Sequence, residues 1–272
     1  MKRKILLVCL ALFICLQVNV HAQDANTPTP TLIPFSSAQG IKIFQDSKYK
    51  VDFFHLANQF EAQDNSMYCG PTTAAIILNT LNIDNLRIKK VNVVKDTISI
   101  SINERKYFPA DYDPFLNRFT QSNVFDSSYS TANKDNKIKS KLELLGQPID
   151  GKKDVGMQIR QLDTLFKAHG LHSEIRIVSD KMGVEEVRQE IISNLSKPGN
   201  YVVVNYKRAA LGQEGHGHIS PVGAYDKKTD TLLVMDVNPS KADWVWVKTS
   251  DLIAAMRTLD TVENRGYLLI SK

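Results

Sequence analysis
An α+β fold, with helices leading and a mostly antiparallel sheet following, is what this sequence predicts. Three observations carry that reading. The run Pro71 to Leu81 is apolar on most faces and begins with a Pro, which the first turn of a helix favours. Val155 to His169 and Val184 to Leu195 repeat their apolar residues at helical spacing. From Tyr201 onward the chain becomes a series of short β-rich runs separated by turn residues.

Lys2, Arg3 and Lys4, an apolar run from Ile5 to Val18 and the sequence Val20-His21-Ala22 have the make-up of a secretory signal peptide, residues 1–22, cleaved after Ala22. The apolar run is too short for a retained membrane span. Export to the periplasm or to the medium follows as an expectation. Removal of the signal takes three positive charges and no acidic ones from a formal net charge of +5, so the basic balance gives no ground for a nucleic-acid partner. About 250 residues remain, enough for one well-buried domain.

Residues 23–40 read as an extended leader, because Asp24 to Pro34 (DANTPTPTLIP) is rich in Pro and Thr. The domain proper is expected over 41–272, with core patterning from Ile41. Pro71 to Leu81 then makes a central, buried helix. Val91 to Ile102 has room for one or two strands, and Ser127 to Lys141 reads as an exposed loop before a short helix. In the second helical segment, Val155, Ile159, Leu162 and Phe166 share a face and Gly170 is the stop. Ser173 to Val178 alternates as a strand, and the helix Val184 to Leu195 ends at Pro198-Gly199. Strands follow at Tyr201–Tyr206, Ile219–Tyr225, Thr231–Val237, Trp244–Val247 and Tyr267–Ile270, with a short helix near Asp251 to Met256.

Cys9 and Cys15 fall within the signal, which leaves Cys69 without a disulfide partner. A lone thiol in an oxidising compartment is either deeply buried or used. Its place at a helix N-terminus favours the thiolate. A cysteine nucleophile needs a base, and the base needs an orienting group. His218 opens an apolar strand after a Gly-rich turn (GQEGHGH), where it would sit at the open edge of a sheet. Asp236 closes the next strand, so a short turn between the two strands makes His218 and Asp236 neighbours. His169 and His172 flank a helix end and read as surface or capping residues, and His55 lacks a clear scaffold. His216 and His218 share one face of an extended segment, a weak signal for a metal pair. Gln63, six residues before Cys69, could place its amide near the oxyanion formed on attack at a carbonyl.

This pattern, Gln63, Cys69-Gly70 at the start of a buried helix, then His218 and Asp236 on later strands, resembles the papain-like cysteine peptidase superfamily. More specifically, it resembles the phytochelatin synthases, above all their short prokaryotic members. The resembling segments are Phe53–Asn79, Tyr201–Asp226 with its GHISP sequence, Leu232–Val247 and Met256–Ser271. The resemblance implies a two-lobed papain-like fold, Cys69 as nucleophile, His218 as general base and acid, Asp236 as its orienter and Gln63 as oxyanion donor. It implies glutathione and related γ-glutamyl peptides as substrates. The bond attacked is the amide between Cys and Gly, and the acyl group is held as a thioester until water or a second glutathione accepts it. Asp260 and Arg265 match positions suited to the charges of the γ-glutamyl end, and Arg208 matches a basic position that lines the acyl pocket, with a surface ion pair as the plain alternative for each.

No cofactor is expected for the chemistry, and Cd²⁺ or Zn²⁺ would enter as activators or as thiolate complexes of glutathione. Neither a Cys-rich C-terminal extension nor a fixed oligomeric state is indicated, and a homodimer is one option. Deglycination is therefore the expected main reaction, with short phytochelatins a secondary product. Two other readings stand beside it: a papain-like peptidase acting on other peptides, and a non-enzymatic thiol or metal binder using Cys69, His216 and His218.

Overall fold
The computed structural model describes residues 29–86, 100–114, 116–125 and 138–272. The expected signal peptide 1–22, most of the expected strands over 91–102 and most of the loop 127–141 lie outside the described residues.

The alternation within the strands explains the architecture. In Tyr201–Lys207 (β3) the side chains of Tyr201 and Val203 enter one core, whereas Val202, Val204 and Tyr206 enter another. A strand buried on both faces reads as a continuous apolar run, which is why YVVV carries no polar positions. The same division holds in Gly217–Asp226 (β4), Thr231–Val234 (β5) and Val245–Lys248 (β6). These strands join Ile33–Pro34 (β1), His172–Ile177 (β2) and Gly266–Ser271 (β7) in one seven-stranded sheet of order β1-β6-β5-β4-β3-β7-β2. Every neighbouring pair is antiparallel. The α+β class is therefore as expected.

Helices cover both faces. On one lie Ala38–Asp46 (α1), Phe53–Asn58 (α2), Cys69–Leu86 (α3) and, after the short helices Ile102–Arg105 (α4) and Lys141–Leu144 (α5), the helix Ile159–Ala168 (α6). On the other lie Val184–Leu195 (α7) and Thr249–Met256 (α8). Within α3, Ala74, Ala75, Ile76 and Ile77 are fully buried, so this helix is the central one that its composition implied. No helix among the described residues is long and apolar enough to cross a membrane.

Three expectations are corrected. The leader does not stay extended to residue 40: Pro34 pairs with Val245 as part of an edge strand, and Ser37 caps α1 by accepting from the Gly40 N–H at 3.0 Å. The Pro-Thr composition hides this cap. Gly40 is required because a Cβ there would lie 2.1 Å from the Pro34 carbonyl. Secondly, the helix carrying Phe166 begins at Ile159, since Val155 belongs to a loop held by Lys139. The Lys139 ammonium is buried and donates to the Asp154 carboxylate (2.7 Å), the Asp154 carbonyl (2.9 Å) and the Gly156 carbonyl (2.9 Å). Lastly, β4 is the middle strand of the sheet, so His218 stands at a strand end and not at a sheet edge.

The start of α3 packs closely on that loop. A Cβ on Gly70 would come within 2.9 Å of the Met157 side chain. Gly70→Ala is expected to destabilise the fold by about 1–3 kcal/mol in urea denaturation. Adding Met157→Ala should recover part of the overpacking loss, and strictly additive losses would sink this account.

Candidate active site
Cys69 is the first residue of α3 and is almost fully buried. The chain leading into it is stitched down by neighbours distant in sequence. The Gln63 N–H donates to the Val237 carbonyl at 2.8 Å. Buried Gln121 accepts from the Asp64 N–H (2.8 Å) and from the Thr72 hydroxyl (2.7 Å), while its amide donates to the Ala62 carbonyl (2.8 Å). One side chain thus joins the approach loop to the first turn of α3. Asn79 and Phe119 exchange two further hydrogen bonds of 2.8 Å, which anchor the segment carrying Gln121 to the same helix.

Across from this helix end stands His218, the second residue of β4, opposite Tyr206 in the β3 ladder. The two rings meet edge to face with centroids 5.8 Å apart. His218 Nε2 lies 2.9 Å from Asp236 Oδ1, near enough for an ion pair but off the line of a straight hydrogen bond. Asp236 follows the end of β5, where the main chain leaves the ladder after Val234. Its Oδ1 also accepts from Arg208 Nη2 and from the Asn238 N–H, each at 2.7 Å, and its Oδ2 accepts from the Tyr206 hydroxyl at 3.1 Å. The Arg208 and Asp236 side chains are 3% and 0% exposed, so this is a buried ion pair and not the surface pair weighed as an alternative.

The electrostatics follow from that packing. Burial by itself would raise the Cys69 thiol, but hydrogen bonding and charge from His218, with help from the Ile219 and Gly70 amides, bring it below its ordinary value. Burial would lower His218, and the Asp236 and Cys69 contacts outweigh it and raise the imidazole. Asp236 is held low against its own desolvation by His218, Arg208 and the Asn238 N–H. Burial and the adjacent Asp236 push Tyr206 well above the ordinary phenol range, so it stays a neutral donor. The arrangement favours a thiolate beside an imidazolium, the resting pair of a cysteine nucleophile.

Cys69, His218, Arg208, Asp260 and Arg265 all line one cavity of about 430 Å³. Asp260 accepts from Arg265 Nη2 at 2.8 Å and from Asn205 Nδ2 at 2.9 Å, so that pair belongs to the cavity wall. Arg265 is held below its usual range by burial, against the pull of Asp260. Gln63 is not among the residues lining the cavity, and its amide nitrogen donates to the Asn65 carbonyl at 2.6 Å. His216 is exposed at the rim. Among the described residues, no three His, Cys, Asp or Glu side chains come together as ligands for a metal ion. His169 caps α6, as its position suggested, with Nε2 2.8 Å from the Val124 carbonyl.

The family model for phytochelatin synthase matches residues 23–95 and 110–267. The chain belongs to the phytochelatin synthase family. Among curated members, glutathione gamma-glutamylcysteinyltransferase 3 of Lotus japonicus is 28% identical over 250 residues, which are 90% of this chain and 43% of that protein. Glutathione gamma-glutamylcysteinyltransferase 1 of Arabidopsis thaliana is 26% identical over 252 residues, 91% of this chain and 43% of that protein. The Schizosaccharomyces pombe glutathione gamma-glutamylcysteinyltransferase is 24% identical over 244 residues, 88% of this chain and 48% of that protein. The chain thus spans less than half the length of these phytochelatin synthase relatives.

Tyr206, Gln121 and Asn205 escaped the sequence reading. Tyr206 had a usable signal, since strand pairing sets it directly across from His218. Gln121 had none, because its partners lie about fifty residues away.

Asp236→Asn removes the counter-charge of the imidazolium. The His218 pKa should fall and the Cys69 pKa rise, so the pH midpoint for alkylation of Cys69 by iodoacetamide should move up toward the ordinary thiol value of ~8.5. An unchanged alkylation profile would remove Asp236 from the electrostatic account.

Proposed function
We propose that the protein is a cysteine-dependent γ-glutamylcysteinyl transferase that acts on glutathione, with hydrolytic removal of glycine as its main reaction. The observation that carries this reading is that Cys69 and His218 line one cavity, with buried Asp236 behind the imidazole, and that the Asp260–Arg265 pair lines the same cavity. The names of the relatives support the substrate. The placement of a nucleophile helix against strands bearing the base and its orienter supports a papain-like arrangement.

The steps follow the proton. In the resting pair the Cys69 proton is on His218, and the thiolate attacks the carbonyl carbon of the Cys–Gly amide. The tetrahedral oxyanion is taken by the Cys69 backbone N–H, and Gln63 joins it once its amide turns from the Asn65 carbonyl toward the cavity. His218 then gives its proton to the glycine nitrogen, the C–N bond breaks and glycine leaves. What remains is a thioester between Cys69 and γ-Glu-Cys. Water attacks this carbonyl and gives one proton to neutral His218. The C–S bond breaks, γ-Glu-Cys leaves as the acid, and the thiolate–imidazolium pair is restored. When the amine of a second glutathione attacks instead of water, the same proton route yields a short phytochelatin.

Asp236 keeps the imidazole oriented through both halves, and Arg208 fixes Asp236 while facing the acyl pocket. Asp260 and Arg265 receive the ammonium and carboxylate of the γ-glutamyl end. Cd²⁺ or Zn²⁺ enters this scheme as an activator or as a thiolate complex of glutathione, on the substrate side. Export after cleavage near Ala22 completes the proposal.

Incubation with glutathione, with and without Cd²⁺, should release glycine matched by the sum of free γ-Glu-Cys and the γ-Glu-Cys units in longer products, with the longer products in the minority. Rapid acid quenching should trap Cys69 with the mass of a γ-Glu-Cys acyl group. Cys69→Ser should lose the adduct and several orders of magnitude in rate. Cleavage of ordinary peptides without release of glycine from glutathione would favour a general peptidase.

A further inference from the structure
Among the described residues that line the cavity, Lys241 is a cationic side chain with no part in the proposed reaction. Arg208 is committed to Asp236, Arg265 to Asp260, and His218 to the proton. Lys241 also lines the cavity, and its ammonium is paired with the carboxylate of Glu214, another lining residue. Glu214 is largely exposed, and an exposed pair of flexible side chains has little net worth. A carboxylate brought in by a ligand can therefore take the place of Glu214 at small cost.

The sheet order says which carboxylate that would be. Asp260 and Arg265 lie in the segment before β7, and Asn205 is on β3, so this group stands on the β3–β7 flank of β4. Lys241 lies in the turn that follows Asp236, with its N–H on the Asn238 carbonyl at 3.0 Å, so its main chain is on the β5 flank of β4 while its ammonium reaches Glu214 in the β3–β4 connection. His218 is on β4 itself, between the two flanks. The departing nitrogen must reach His218 to take up its proton. The free carboxylate of a departing glycine is only two bonds from that nitrogen, so it lies close to His218 and away from the γ-glutamyl group.

We infer that Lys241 is a specificity-determining residue that binds the free C-terminal carboxylate of the departing residue, with Glu214 as its resting partner. This inference rests on the proposed glutathione reaction and adds to it a preference for substrates that end one residue after the attacked bond. A blocked or extended C-terminus would forfeit the charge contact and leave Lys241 on Glu214.

The test compares glutathione with its glycine carboxamide analogue, reading kcat/KM for glycine or glycinamide release. The wild-type protein should prefer glutathione by about 2- to 5-fold, the size of one partly exposed charge contact. Lys241→Met should bring that ratio toward one, and Glu214→Gln, by freeing the ammonium, should enlarge it. Equal losses on both substrates in Lys241→Met, or a wild-type ratio near one, would overturn the inference while leaving the glutathione reaction standing. Absence of release from either substrate by the wild-type protein would overturn the parent reading and this inference together.

Discussion
A buried carboxylate is the constraint on which the Cys69 end of this protein depends. Asp236 has no solvent to stabilise its charge, and an ionised carboxylate without partners would be too costly to bury. It is satisfied from several directions at once: the Arg208 guanidinium, the Tyr206 hydroxyl, the Asn238 N–H and the His218 ring. Each donor has a separate structural origin, one ladder strand, the short turn that continues it, the loop beyond β5 and the middle strand. The carboxylate therefore acts as a junction where β3, β4 and β5 must end in a definite relation. The same requirement that makes the charge tolerable fixes the imidazole in front of Cys69. Removal of any one partner leaves a buried group unsatisfied, so stability and the alignment of His218 with Cys69 are coupled here.

The segment between α3 and α6 has a parallel role on the other side of the thiol. Gln121 ties the loop entering α3 to the first turn of that helix, and Lys139 ties down the stretch Asp154 to Met157 against which Gly70 packs. Both are polar side chains buried with their hydrogen-bonding capacity well used, a condition that holds loop backbone in place where no helix or strand ladder is available. The cavity wall beside Cys69 is thus built from loop backbone made rigid by side chains, whereas the wall beside His218 is built from strands.

Local chemistry was legible in the chain wherever one element settles its own geometry. The helix Val184–Leu195 has the bounds its apolar period implied, and the strands from Tyr201 onward fall close to their β-rich runs. The neighbouring places of His218 and Asp236 followed from two consecutive strands joined by a short turn. What the chain concealed were matters of long range or of competing composition. The Pro-Thr lead-in masked the Ser37 cap and the edge strand before it. Strand order cannot be read from periodicity, so the central position of β4 was hidden, and with it the division of the cavity into two flanks. Arg208 was visible as a cation near the site, yet its commitment to Asp236 depends on where β5 ends in space.

The separation of Cys69 from His218 along the chain has a consequence for the life of the thiol itself. Everything that lowers its pKa comes either from the first turn of α3 or from residues about 150 positions later. A partly made or unfolded chain therefore carries an ordinary thiol, mostly protonated at neutral pH and slow to react with oxidants or disulfides. Once β4 and β5 close over the helix end, the contacts that lower the Cys69 pKa are in place, and the thiol is then buried beside the cavity. Reactivity and shelter of Cys69 arise in the same folding event, which protects the thiol from misplaced chemistry before the site is assembled.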